Sequence, residues 1–231
     1  MTVRLNLCDG IGDIGPDGRA WLMPTLEATR DKCQAVLPLT DADVNIIVAP
    51  RMVIPEYGMC GYTLNRSVVQ ITLDPWSLHF KHAERESRVG GVFAHERHHL
   101  ARFRSPACEW SPKYLFKRSL GHVLILEGLA QAFEEELGFP TPFYATAVSG
   151  ERLWQLADRA RAEFEAVNVD CDAWFFGRAN DLEFPRLGGY CLGYALVKGW
   201  LAHADTKPSK EVDLKTGALL DAWRAGRIVV A

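Results

Sequence analysis

At 231 residues, with 48% hydrophobic and 24% charged side chains, the chain can bury a substantial core and has an ordinary globular composition. Its formal charge of −3, from 26 basic and 29 acidic residues interspersed along the chain, forms no basic stripe and argues against nucleic acid as a partner. Six cysteines without a CxxC pair, no basic-then-apolar leader in MTVRLNLCDG and no apolar run of membrane-spanning length lead to the expectation of reduced thiols in the cytoplasm.

In chain order, residues 2–7 alternate like a strand, and residues 19–37 carry helix-spaced apolar positions at Trp21, Leu22, Leu26, Ala28 and Val36. VNIIVAP, residues 44–50, is a β-branched run stopped by Pro50. The segment around Pro55, Gly58 and Gly61 reads as loop, and SVVQITLDP as a strand stopped at Asp74–Pro75. From about Ala83 the pattern turns helical. Helices are expected at roughly 83–103, 113–137, 149–166 (with Ser149 as its cap), 189–203 and 213–224. Strands first and helices after predict an α+β class. We expect a single domain over 1–231, with an α/β lobe at about 1–104, a mostly helical lobe at about 105–231 and a cleft between them for a site.

The chemistry concentrates in VFAHERHHLARF, which contains His95-Glu96-x-x-His99. On a helix two residues four apart lie about 40° from each other, one turn along. Two imidazoles so placed can bind one cation from the same side at about 2.0 Å each. Glu96 is turned away from both by about 60–100°, where it can hydrogen-bond a water on the metal without ligating it. Chance produces the pattern in roughly one chain in two hundred of this length, so the surroundings must argue for it.

A catalytic zinc needs a third protein ligand, and the best candidate is Glu127 in LGHVLILEGLAQAF. It sits among Leu120, Val123, Leu124 and Ala130 on a helical projection, where an uncompensated carboxylate costs several kcal/mol. A divalent cation would compensate it. So would an arginine such as Arg97 or Arg102, which is the structural alternative. Gly128, beside it, is expected to let this helix approach the histidine helix closely. His122 lies some 140° from Glu127 and reads as structural, while His98 reads as outer-sphere or solvated. Gln131 and Glu134 follow Glu127 on the same face and could orient a ligand histidine. His79, His82 and His203 show no partner pattern and read as surface or capping residues.

These residues resemble the HExxH metallopeptidases called gluzincins, in which a downstream Glu completes the two-histidine site. More closely, the chain looks like a bacterial family of predicted zinc-dependent proteases. The likeness rests on GYTLNRSVVQITLDP (61–75), AHERHHLARF (94–103), LEGLAQAFEEELG (126–138), and WFFG (174–177) with PRLGGYCLGYALV (185–197). It implies a zincin-like fold with a small mixed sheet plus active-site helix in the N-terminal lobe. It further implies His95, His99 and Glu127 as zinc ligands, Glu96 as general base, and a peptide or protein substrate. One departure is Gln131, where thermolysin-like enzymes carry an Asp four residues after the ligand Glu.

The expected mechanism has Glu96 deprotonating a water on the zinc as it attacks an amide carbonyl, then passing the proton to the leaving amine. Tyr190 and Tyr194, spaced i,i+4, are candidate oxyanion donors, with core packing as their other reading. The strand at 67–73 resembles the zincin edge strand that pairs an extended peptide. Two rival functions are a metal-dependent hydrolase of a small non-peptide amide and a non-catalytic, zinc-stabilised binding protein.

Overall fold

The computed structural model describes residues 3–37, 41–106, 118–177 and 183–230. Residue 2, Cys108 and the expected helical start at 113–117 lie outside the described residues. Two compact units emerge, Met1–Arg104 with Leu137–Pro140, and Ser105–Glu136 with Thr141–Ala231. The α+β class expected from the sequence holds, with a small mixed sheet in the first unit.

In the first unit the chain runs β1 (Val3–Cys8), α1 (Gly15–Val36), β2 (Ala42–Val48), a 3₁₀ turn (Pro50–Met52), β3 (Met59–Thr63), β4 (Val68–Leu73) and α2 (Arg85–Arg104). Helix α1 begins four residues earlier than its apolar periodicity suggests. Gly15 has a φ of 68°, Pro16 occupies the first turn, and the buried Asp9 carboxylate takes the Ile14 amide at 3.3 Å and Arg19 Nη2 at 2.8 Å. The sheet order is β1-β2-β4-β3, parallel except for the antiparallel β3–β4 pair.

Two expectations fail here. The strand at 67–73 is not an edge: β4 lies between β2 and β3, and β3 ends the sheet among the described residues. The segment around Gly61 is not loop but β3 itself, paired through Gly61↔Ile71. Apolar alternation on β2 (Ala42, Val44, Ile46) and β4 (Val69, Ile71) points one face at α1 and α2, which close the core with Leu22, Leu26, Val89, Val92, Phe93 and Leu100.

The second unit is helical: α3 (Leu120–Glu136), α4 (Phe143–Thr146), α5 (Gly150–Glu163), α6 (Cys171–Phe176), α7 (Gly188–Ala204), a 3₁₀ turn (Pro208–Lys210) and α8 (Thr216–Arg224). The short helices α4 and α6 carry too few turns to show a period. Helix α6 is started by Asp170, whose side chain accepts the Ala173 amide at 3.0 Å. Ser149 does stand at the N-cap position of α5 but makes no side-chain capping bond. The core joins Leu124, Ile125 and Leu129 of α3 to Leu192, Leu196 and Val197 of α7, with Leu156, Phe164, Trp174 and Trp223 around them. Gly128 serves the approach of α3 to α7, where its neighbour is Gly193. Among the described residues no helix is long and apolar enough to cross a membrane.

Candidate metal centre

Helix α2 is buried on every side from Val89 to Phe103, although that stretch includes His95, Glu96, Arg97, His98, His99 and Arg102. Its ends explain how so polar a segment is held. At the start, Arg88 pairs with Glu84 at 2.8 Å while the Glu84 amide donates to His82 Nδ1 at 3.2 Å. At the end, the Arg104 guanidinium donates to the carbonyls of Arg66 and Asp41, each at 2.6 Å, tying the helix to the loops that enter β4 and β2. Burial and the nearby Arg66 hold the Arg104 guanidinium below its ordinary pKa.

The two histidines one turn apart do meet. Their ring centroids are 4.5 Å apart with planes at 85°, and each residue is only 6% exposed. Ring planes of His99 and Phe103 lie within 10° of parallel at 6.4 Å, so an apolar surface borders the pair. Glu96 is 5% exposed, and one ligand atom from each of His95, Glu96 and His99 falls within 4.8 Å of the others. A tetrahedral zinc with bonds of about 2.0–2.1 Å places its donor atoms roughly 3.3 Å apart, so small side-chain adjustments suffice to seat the ion. Two imidazole nitrogens on one side suit zinc, and the Glu96 oxygen stands close enough to them to hydrogen-bond a water that such an ion would carry. The site fits the metal.

The Glu96 carboxylate is not left to rotate. Thr63 of β3 places its hydroxyl 2.7 Å from Glu96 Oε2 and 3.0 Å from the Glu96 carbonyl oxygen. A Cβ on Gly61 would stand 2.4 Å from Glu96 Cγ and 2.7 Å from Oε1, so only glycine lets β3 lie this close to α2. Tyr62, between them, has its hydroxyl pushed up to about 12, by burial first and then by Cys60 and the Glu96 charge. All three lie in the 61–75 segment that carries the family likeness, but the sequence assigns none of them a role at the site. A glycine inside a strand signals close backbone approach, but only once the strand itself is recognised.

His98, read as outer-sphere or solvated, is not solvated: it is fully buried, at 0% exposure. Arg97 is equally buried, and its three guanidinium nitrogens find no hydrogen-bond acceptor among the described residues. Burial lowers its pKa to about 10.

In the second unit Glu127 lies on α3, partly buried. Gln131 is fully buried, and neither its amide nitrogen nor its oxygen hydrogen-bonds within the described residues. Glu134 accepts the Tyr144 hydroxyl at 3.1 Å. Tyr190 sits in an aromatic group with Tyr144, Phe175 and Phe176, at centroid distances of 5.4, 4.9 and 6.3 Å. Tyr194 donates its hydroxyl to Glu135 Oε1 at 2.5 Å, and burial together with that carboxylate raises its pKa. His79, half-buried in the turn before α2, borders Arg88 at 3.2 Å, and the exposed His203 faces Trp200 near the end of α7.

An α+β chain whose buried helix presents a His–Glu–His group able to hold a divalent ion is a candidate zinc metalloprotein. The match to a family model over residues 22–221 makes this specific: the chain belongs to the family described as predicted Zn-dependent protease (DUF2268). Zinc is the cofactor that this family and the donor set imply. No curated protein and no solved structure matches the chain significantly.

Proposed function

We propose that the chain is a zinc-dependent peptidase in which His95, His99 and Glu127 hold the metal and Glu96 transfers the proton. The observation that carries this reading is the Glu96 carboxylate, buried within 4.8 Å of both imidazoles and held by Thr63 at 2.7 Å. A metal that only stabilised the fold would have no need of a buried acid beside its two histidines.

When bound, zinc supplies a Lewis acid that polarises the scissile carbonyl and brings the pKa of water down to about 7. Glu96 takes the water proton as the carbonyl carbon is attacked, and delivers it to the departing amine nitrogen. Tyr190 and Tyr194 are the oxyanion candidates, and Tyr194 would have to give up its bond to Glu135 in order to donate.

Peptide is favoured over a small amide by the geometry of β3. The Leu64 amide donates to Val68 O and the Asp74 amide to Gly58 O, both at 2.9 Å. Bonded pairs alternate along an antiparallel ladder, so Gly61 and Thr63 turn their own N–H and C=O away from β4. An extended substrate can add to that edge and run past Glu96. The cytoplasmic setting expected from the thiols is part of the same proposal.

Metal analysis should find about one zinc per chain, and Glu96→Gln should keep the zinc while abolishing cleavage of a peptide library. Cleavage retained in that variant removes Glu96 as the base and the reading with it.

A further inference from the structure

We infer that Thr63 is a positioning residue for Glu96, fixing which carboxylate oxygen works, and that Gly61 provides the space in which that oxygen sits. The inference rests on the peptidase reading for its consequence, but on the geometry within the first unit for its substance.

The Thr63 hydroxyl has one proton and two acceptors in range, Glu96 Oε2 at 2.7 Å and the Glu96 carbonyl at 3.0 Å. A carboxylate oxygen is a stronger acceptor than a peptide carbonyl, so the proton goes to Oε2. The carbonyl contact places the same hydroxyl against the helix backbone, which leaves the side chain little freedom to follow a moving carboxylate. Thr63 takes one lone pair of Oε2 and leaves both lone pairs of Oε1 open, and Oε1 lies over Gly61 at the point where a Cβ would stand 2.7 Å away. The same two residues turn their peptide groups away from β4, toward the side of β3 on which no further strand pairs among the described residues. Substrate backbone and catalytic carboxylate are therefore registered against one dipeptide step of one strand. A carboxylate rotates easily about its last torsion, and proton transfer demands it within about 0.5 Å of its working place. Threonine supplies that constraint without adding a charge.

The test compares wild type with Thr63→Val, which keeps the shape and loses the hydroxyl, Thr63→Ser, which restores it, and Gly61→Ala. Crystal structures of the zinc-loaded and zinc-free variants should show the Glu96 carboxylate rotated in Thr63→Val, returned in Thr63→Ser and displaced in Gly61→Ala. On fluorescein-labelled casein, Thr63→Val should lower kcat by about tenfold to a hundredfold, with KM and zinc content unchanged and Thr63→Ser recovering most of the loss. An unmoved carboxylate in Thr63→Val, or unchanged kcat where Glu96→Gln is inactive, overturns the role of Thr63. Full activity of Glu96→Gln would instead overturn the peptidase reading and leave the crystallographic comparison to decide the positioning on its own.

Discussion

Gly128 and Gly193 are in backbone contact: a Cβ on Gly128 would stand 2.1 Å from the Gly193 carbonyl oxygen, and one on Gly193 would stand 2.4 Å from the Leu124 carbonyl oxygen. Neither obstacle is a side chain that can swing aside. Adding a methyl group at either position must push α3 and α7 apart along the centre of the second unit's core. Alanine improves intrinsic helix propensity by about 1 kcal/mol, but overpacking against rigid backbone costs about 1–3 kcal/mol and prevails. Gly128→Ala and Gly193→Ala should each lower the urea midpoint. Gly217→Ala on α8, where a Cβ meets nothing within 4 Å, should leave the midpoint unchanged or raise it.

Glu135 is a pH-dependent tie within the same unit. Its carboxylate accepts Tyr194 at 2.5 Å, Lys198 at 2.8 Å and the Thr141 hydroxyl. Burial pushes its pKa up, yet these donors together outweigh burial and hold it below its ordinary value of 4.5. A carboxylate whose folded pKa is depressed contributes stability that is complete above the unfolded value and lost as the pH falls through the folded one. Glu135→Gln should therefore cost about 1–2 kcal/mol at pH 7, with the half-exposed Lys198 contributing least. Below pH 4.5 the gap between variant and wild type should close in denaturant titrations; a gap constant with pH would show that the charge of Glu135 is immaterial.

Arg97 is a buried cation without an acceptor among the described residues, beside the Cys33 thiol that burial pushes up to about 12. A thiol so shifted is neutral at physiological pH and offers no countercharge. Depression of the guanidinium pKa to about 10 means that the fold penalises the charged form at every pH below that value. Replacing such a charge by an apolar chain of similar length is expected to be neutral or stabilising by about 1–3 kcal/mol. Arg97→Met should raise Tm at pH 7, provided the methionine fills the channel of the arginine stem. A large loss of stability would mean that the guanidinium has a partner of its own.

The sequence makes the first unit's helices and its parallel strands legible because each obeys one period throughout. The run of Val44 and Ile46, and the i,i+4 spacing of His95 and His99, report local geometry that packing does not override. Strand β3 escapes the same reading because Gly61 lowers its strand propensity and Pro55 and Gly58 signal a turn nearby. The glycine answers to something outside the segment, namely the Glu96 side chain that fills the space a Cβ would take. Missing β3 also mis-assigned the edge to β4, since topology is not a local property. His98 misleads for a related reason. A helical projection separates faces, but α2 is enclosed on all sides, so no face of it is solvated.

The proposed zinc ligands can be tested one by one, because each candidate makes a different demand on the metal. His95 and His99 stand one turn apart on one helix, so either alanine variant leaves one imidazole of the pair, and zinc content should fall to near zero. Glu96→Gln should change zinc affinity little, because its Oε2 is already occupied by Thr63. Glu127→Ala should weaken zinc by more than the roughly 10- to 100-fold that losing an outer hydrogen-bond partner costs. His122→Ala, on the same helix but turned some 140° away, should not. Competition against a chromophoric chelator measures all five variants on one scale. Zinc affinity unchanged in Glu127→Ala but lost in His122→Ala would move the third ligand to His122, five residues earlier on another face of α3, and leave Glu127 without a catalytic role.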